Sequence, residues 1–152
     1  MPGVSVKRMP GPQSRCFRLL AMSCLLSACG QQTAEQDVGH WDESVWQPAQ
    51  IQQLKRGRML YQQKCAACHL ESGQGQTTLG APPLKGSAVV AGPVAGHIDV
   101  VLNGRSNGTM PAFGKSLETQ AIADIVSYER NAWGNNDPAL ISADQVEALK
   151  SR

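Results

Sequence analysis

Cys65 and Cys68 stand three apart, and His69 follows the second cysteine at once, in the stretch Lys64-Cys65-Ala66-Ala67-Cys68-His69. Two thiols so spaced can hold a metal, exchange as a disulfide or become bonded to a cofactor. A structural zinc takes four ligands, usually as two pairs; here there is one pair, and besides His69 the only histidines are His40 and His97. A thioredoxin-type pair needs a βαβ setting, of which this sequence has no sign. The remaining chemistry explains the histidine. Thiols on one helical turn can each add to a vinyl group of a haem, and the next histidine then lies on the haem face as an iron ligand. C-x-x-C-H is the attachment signature of c-type haem, and one such motif predicts one covalent haem c held through Cys65, Cys68 and His69.

The other axial position decides the function. Filled, it leaves the iron with electron transfer alone; open, it admits a ligand such as peroxide or a diatomic gas. Met59, Met110, His97 and His40 are the candidates. Met59 sits on the helix that runs into the attachment turn, which keeps it from the far face of a haem and makes it a core or surface side chain. Met110 lies in Asn-Gly-Thr-Met-Pro-Ala-Phe-Gly, residues 107–114, with ample chain after His69 to wrap the haem edge and with Pro111 to stiffen the loop. A plain core role for Met110 is the alternative. His97 reads as a structural or exposed histidine on an amphipathic stretch.

The elements that must position these residues begin after a leader. Residues 1–28 carry Lys7, Arg8, Arg15 and Arg18 with no acid, then an apolar run from Leu19 to Ala28. That run is too short to span a bilayer and ends in small residues, the pattern of a secretion signal. Leu26-Ser27-Ala28-Cys29 is similar to a lipobox, which makes Cys29 the expected lipid-bearing first residue of the mature protein; Met1 or Met9 could start the chain. Residues 29–45 read as lipidated cysteine plus polar tether, although Trp41 predicts that the later part leans on the domain. A helix is expected over 46–65, with Pro48 early, Trp46 stapling the entry and Ile51, Leu54 and Tyr61 at helical spacing. Gly57 inside it predicts a close approach by another helix. Residues 70–95 read as mostly loop, 97–102 as a short helix, 103–114 as loop and 117–134 as a strong helix with Ile122, Ile125, Val126 and Tyr128 on its stripe. Ser142 and Gln145 have capping-box spacing for one more short turn. No strand is expected. The fold class is all-α, with a domain over 46–137 and a tail over 138–152.

Charge excludes one class of partner. The chain has 14 basic and 12 acidic residues; removing the four basic residues of the leader leaves 10 against 12, a net of −2, and no case for nucleic acid. Cys16 and Cys24 leave with the leader, so Cys65 and Cys68 are the thiols of the exported domain.

From Trp46 to Trp133 the chain resembles the class I c-type cytochromes. Cys65-Ala66-Ala67-Cys68-His69 matches their attachment motif, Gly57 and Tyr61 their first helix, and Ile125 and Tyr128 the last helix that crosses it. The resemblance implies a small cytochrome c fold, Met110 in Gly-Thr-Met-Pro-Ala-Phe as second iron ligand, and Pro82 in Pro-Pro-Leu-Lys-Gly as the carbonyl that receives the ligating histidine's other nitrogen. His-Ile-Asp-Val-Val-Leu-Asn-Gly (97–104) and Ser-Tyr-Glu-Arg-Asn-Ala-Trp-Gly-Asn-Asn (127–136) look like the cytochrome domain fused to subunit II of some haem-copper oxidases, here with a lipid anchor in place of a copper domain. The function so implied is a membrane-tethered electron carrier on the periplasmic face of a bacterial membrane, not an enzyme, serving a terminal oxidase, a quinol-oxidising complex or a periplasmic dehydrogenase. A fixed dehydrogenase subunit, or a haem sensor or peroxidase if Met110 does not ligate, are the alternatives. Lys64, Lys85, Arg105 and Lys115 flank the expected haem edge, either as a weakly basic rim or as scattered solvated cations, and Arg105 is a candidate partner for a haem propionate.

Overall fold

A computed structural model describes residues 41–105 and 108–151. The expected leader, Cys29 and His40 lie outside the described residues. Among the described residues six helices follow in order: α1 (Pro48–Lys64), α2 (Ala66–His69), α3 (Ala88–Ala91), α4 (Val94–Asn103), α5 (Thr119–Asn131) and α6 (Ala143–Lys150). A 3₁₀ turn, Thr77–Leu79, lies in the loop after α2. Among the described residues there is no strand, only two isolated bridges, Gln76 with Ala81 and Arg105 with Met110. The all-α expectation holds. No described helix is long and apolar enough to cross a membrane.

Local chemistry accounts for the helix ends. Pro48 opens α1, where its missing N–H costs nothing, and the Gln50 side chain accepts the Gln47 N–H at 2.9 Å. The box expected at α6 is present in both directions: Ser142 N–H donates to Gln145 Oε1 at 2.9 Å and Gln145 N–H to Ser142 Oγ at 3.3 Å. α4 starts at Val94, directly after Pro93, and ends before Gly104, whose φ of 71° lets the chain turn back. α5 stops at Asn131, three residues short of the expected end, because Trp133 turns back at φ 58° and donates its Nε1–H to Glu71 O at 2.8 Å.

α1 and α5 cross at Gly57. A Cβ placed there would lie 2.0 Å from Asp124 O and 2.7 Å from Tyr128 Cβ, so only glycine permits this approach. Above the crossing Tyr61, Tyr128 and Trp133 pack edge to face or tilted, with centroids 5.0 to 5.4 Å apart, and Trp41 adds an edge contact on Tyr128 at 6.1 Å. Such pairs contribute about 0.5–1.5 kcal/mol each beyond area burial. Trp41 thus leans on the domain, as its residue type predicted. On the other side of the crossing Arg56 Nε donates to Asp124 Oδ2 at 2.8 Å, and this carboxylate raises the guanidinium above its ordinary value.

A second apolar cluster joins α4, α5 and α6 through Ile98, Val101, Leu102, Ile122, Val126 and Val146, with Met110 and Phe113 packed against it. The tail is therefore integral to the domain: Ile141 is buried, its N–H donates to Ser127 Oγ at 2.8 Å, and Gln53 Nε2 donates to Ile141 O at 2.7 Å.

Candidate haem-binding site

The attachment turn is held from three directions. Cys65 N–H and the first turn of α2 continue the helical hydrogen bonding of α1, so the two cysteines ride on a rigid stem. Tyr61 Oη donates to Leu70 O at 2.6 Å on the far side of His69. Gln76 Nε2 donates to Ala67 O at 2.8 Å. Leu70 takes φ 62° directly after the histidine, a conformation disfavoured for a branched side chain and imposed by these anchors.

His69 is buried, and its Nδ1 lies 3.0 Å from Pro82 O. A proline carbonyl can only accept, so Nδ1 is the donor of this bond and Nε2 is the ring nitrogen left to ligate a metal. The loop that brings Pro82 there is tight. Gly75, at φ 71°, sits so close that a Cβ would meet Ala81 O at 2.5 Å and Pro82 O at 2.6 Å, and the bridge between Gln76 and Ala81 closes the turn with bonds of 2.9 and 3.1 Å.

Met110 is presented by a second pinned loop. Arg105 and Met110 exchange backbone bonds at 3.0 and 3.2 Å, and Phe113 N–H and Gly114 N–H each donate to α4, to Val101 O and Leu102 O, at 3.0 Å. Gly104 is required here, since a Cβ would lie 2.4 Å from Met110 O.

Cys65, Cys68, His69, Pro82 and Met110 all line one largely apolar cavity of about 290 Å³, walled also by Leu84, Val90, Val100, Val101, Phe113 and Ile125. Every expected haem contact is brought together there. Met59 is 54% exposed and takes no part, in keeping with its reading as a non-ligand. Lys64 and Arg105 lie on the cavity wall, whereas Lys85 and Lys115 are exposed and outside it.

The donor set fits a covalently held haem. Both thiols are free. Burial pushes the Cys65 thiol up, with the charges of Glu129 and Cys68 adding to it, so the sulfur stays S–H at neutral pH, unlike the thiolates of exchange enzymes. Among the described residues no three histidine, cysteine or acidic side chains converge on a common metal-ion site. One imidazole nitrogen, one thioether and an apolar slot are groups that suit an iron porphyrin.

One polar pair in this wall was not foreseen. His97 Nε2 lies 2.8 Å from Glu129 Oε2, with side chains 3% and 5% exposed, and both residues line the cavity. Its signal was in the register: Glu129 falls on the same helical stripe as Ile122 and Ile125, where an apolar residue would be expected.

The profile of the family described as "Cytochrome C oxidase, cbb3-type, subunit III" matches residues 52–128, half of the chain, from within α1 through most of α5. The chain belongs to this cytochrome c family. The gluconate 2-dehydrogenase cytochrome c subunit of Pantoea cypripedii is 33% identical over 147 residues, covering 87% of this chain and 32% of that protein. The cytochrome c subunit of the quinone alcohol dehydrogenase of Gluconobacter oxydans (strain 621H) is 34% identical over 105 residues, or 62% of this chain and 22% of its own length. The cbb3-type cytochrome c oxidase subunit CcoP of Azospirillum brasilense is 36% identical over 85 residues, covering 53% and 28%. This cytochrome thus spans about a third or less of the curated relatives it matches. Membership implies haem c and makes the chain an electron carrier rather than itself a catalyst.

Proposed function

We propose that this cytochrome carries a single haem c, bonded to Cys65 and Cys68, with His69 and Met110 as axial ligands, as in the monohaem class I proteins. The observation that carries the reading is His69 Nδ1 fixed on Pro82 O at 3.0 Å, beside two free thiols and Met110 in one cavity. When bound, the group supplies a one-electron Fe(III)/Fe(II) couple, and thioether ligation raises its potential relative to two imidazoles.

The chain's own residues do the rest. Pro82 O holds the imidazole ring in orientation and increases its basicity as a ligand. Phe113, Val100, Val101 and Ile125 exclude water, so little solvent reorganises when charge changes. Lys64 and Arg105 at the exposed mouth supply the positive side of a small, transient contact; Arg105 is also placed to pair with a carboxylate at the cavity rim.

The leader reading supports export, lipidation at Cys29 and residence on the periplasmic face of a bacterial membrane. That suits transfer between membrane neighbours, such as a quinol-oxidising complex and a terminal oxidase. The relatives named as dehydrogenase and oxidase subunits favour a second reading, a permanent subunit of one complex.

Mass spectrometry of the exported protein tests the first claim: the peptide bearing Cys65 and Cys68 is expected to carry one macrocycle, and Cys65→Ala with Cys68→Ala to carry none on that peptide. An unmodified wild-type peptide refutes it. Mild-detergent solubilisation separates the two settings, since a shuttle is expected to purify alone and a subunit at fixed stoichiometry with its complex.

A further inference from the structure

We propose that Arg130, together with Asn135, is a positioning residue of the haem cavity: it clasps the α3 wall shut against water and so sets the electron affinity of the site. The inference rests on reading the cavity as a haem site.

α3 does not hold its own place. It is a single turn of four residues, Ala88–Ala91, and an isolated turn of that length does not persist in water. Gly86 before it, at φ 67°, and Gly92 after it leave both flanks free to swing. Within the turn, Ser87 Oγ accepts the Val89 N–H at 3.2 Å and Ser87 O the Ala91 N–H at 2.8 Å. Yet this short piece supplies Ser87, Val89 and Val90 to the cavity wall, and Val90 is fully buried.

The grip comes from the C-terminal end of α5. At the exit of α3, Arg130 Nη1 donates to Val90 O and, at 3.0 Å, to Gly92 O. Arg130 Nε donates to Asp137 Oδ2 at 2.7 Å, which fixes the guanidinium from behind. At the entry, Asn135 Oδ1 accepts the Gly86 N–H at 2.8 Å and Asn135 Nδ2 donates to Leu84 O at 3.3 Å; Leu84 also lines the cavity. Asn135 Nδ2 is itself held on Glu129 O at 2.7 Å. The entry has a second tie, since Gly73 O accepts the Leu84 and Lys85 N–H groups at 2.7 and 3.0 Å. Arg130 at the exit is therefore the stronger lever.

The choice of a guanidinium points beyond packing. Arg130 is 4% exposed, and burying a charge pair is often no more stabilising than an apolar tie of the same volume. What the planar fork adds is geometry: it fixes where the two carbonyls lie, whichever side chains they carry. Arg130 lies behind Val90 rather than in the cavity wall, so it acts through the main chain of α3.

The oxidised site holds one more positive charge than the reduced site. Water favours that extra charge and an apolar wall opposes it. A closed α3 wall thus favours reduction, and a loosened one lowers the potential. The electron still arrives from a one-electron donor protein and leaves to an acceptor. Arg130 exchanges no proton in the process, and no bond breaks.

The test is the midpoint potential of the haem-loaded protein, together with amide hydrogen exchange of peptides covering residues 86–93. Arg130→Lys keeps the charge but has no planar fork to serve Asp137 and two carbonyls at once. It is expected to show about a tenfold loss of electron affinity, about 59 mV for a one-electron couple, and faster exchange at 86–93. Asn135→Ala changes no charge and is expected to move both readouts the same way, by less. Arg56→Ala, which breaks the ion pair with Asp124 on the other side of the helix crossing, is expected to lower stability and leave the potential at the wild-type value. A wild-type potential in Arg130→Lys overturns the proposal, because a residue acting by charge or by stability alone gives that result. An equal fall in Arg56→Ala also overturns it, since the potential would then follow stability rather than the wall. Where Arg130→Lys loses haem, Asn135→Ala decides, and an unchanged potential there overturns the proposal. Failure of the haem reading itself looks different: wild-type protein would lack haem absorption, while the exchange difference at 86–93 would persist.

Discussion

Gly57→Ala sets two known effects against each other. In an exposed helix the change favours folding, because alanine has a helix propensity better by about 0.8–1.0 kcal/mol. Here the new methyl would meet Asp124 O at 2.0 Å and Tyr128 Cβ at 2.7 Å. Ordinary contact begins at 3.4 Å, so α1 and α5 must part by about 1.4 Å (3.4 − 2.0). The obstacle is backbone, which no rotamer change can move. Separation on that scale loosens Leu54, Tyr61 and Tyr128, all at 0 or 1% exposure, and overpacking of this kind costs about 1–3 kcal/mol or more. With the backbone obstacle placing the cost at about 3 kcal/mol, the top of that range, a net loss of about 2 kcal/mol is expected after the propensity gain. For a domain near 100 residues that corresponds to a melting temperature lower by roughly 10 °C. Thermal unfolding of the haem-loaded protein, followed by far-ultraviolet circular dichroism and by haem absorption, is the assay. The attachment turn grows from the end of α1, so both signals should fall together. A variant as stable as wild type, or more so, would refute the reasoning, since the propensity term would then have won and the helices could not be in contact at Gly57.

Met110→Ala is expected to open a coordination position: the reduced protein should bind carbon monoxide where wild type does not, and lose the sulfur-to-iron charge-transfer band of its oxidised spectrum. An unchanged spectrum would return Met110 to the apolar cluster it packs against. Asp137 is raised by burial but lowered more by the Ala139 N–H and by Arg130, so its folded value lies below the ordinary carboxylate range. A depressed carboxylate contributes stability above its unfolded value of about 3.9 that is lost as pH falls through the folded value. Denaturant titrations of wild type and Asp137→Asn should therefore differ at pH 7 and converge in acid. Arg130→Ala, which strips a buried guanidinium from Asp137 and from two carbonyls, should cost more, about 3–5 kcal/mol, measured in the same titrations.

What could be read from the chain alone was whatever is governed by neighbours within a few residues. The C-x-x-C-H spacing places two thiols and an imidazole on one turn by covalent geometry. The Ser142–Gln145 box and Pro48 act within their own first turns. The apolar repeat of 122, 125 and 126 marks a buried face, and an isolated glycine in α1 signalled a close approach without saying to what. α3 escaped because four residues between glycines have no period; it exists because Ser87 accepts the Val89 N–H at 3.2 Å and Arg130, forty residues on, donates to the Val90 carbonyl. Pro82 was named only through resemblance, since a carbonyl's orientation has no signature in residue type. The meeting of His97 with Glu129, and the enclosure of Ile141 and Val146 against α4 and α5, depend on which faces the crossing at Gly57 turns inward. Long-range packing fixes where a side chain points and which charge it meets in a water-poor interior. Residue order encodes that result only through the whole fold, which is why the attachment chemistry was legible in five letters and the electrostatics of its cavity were not.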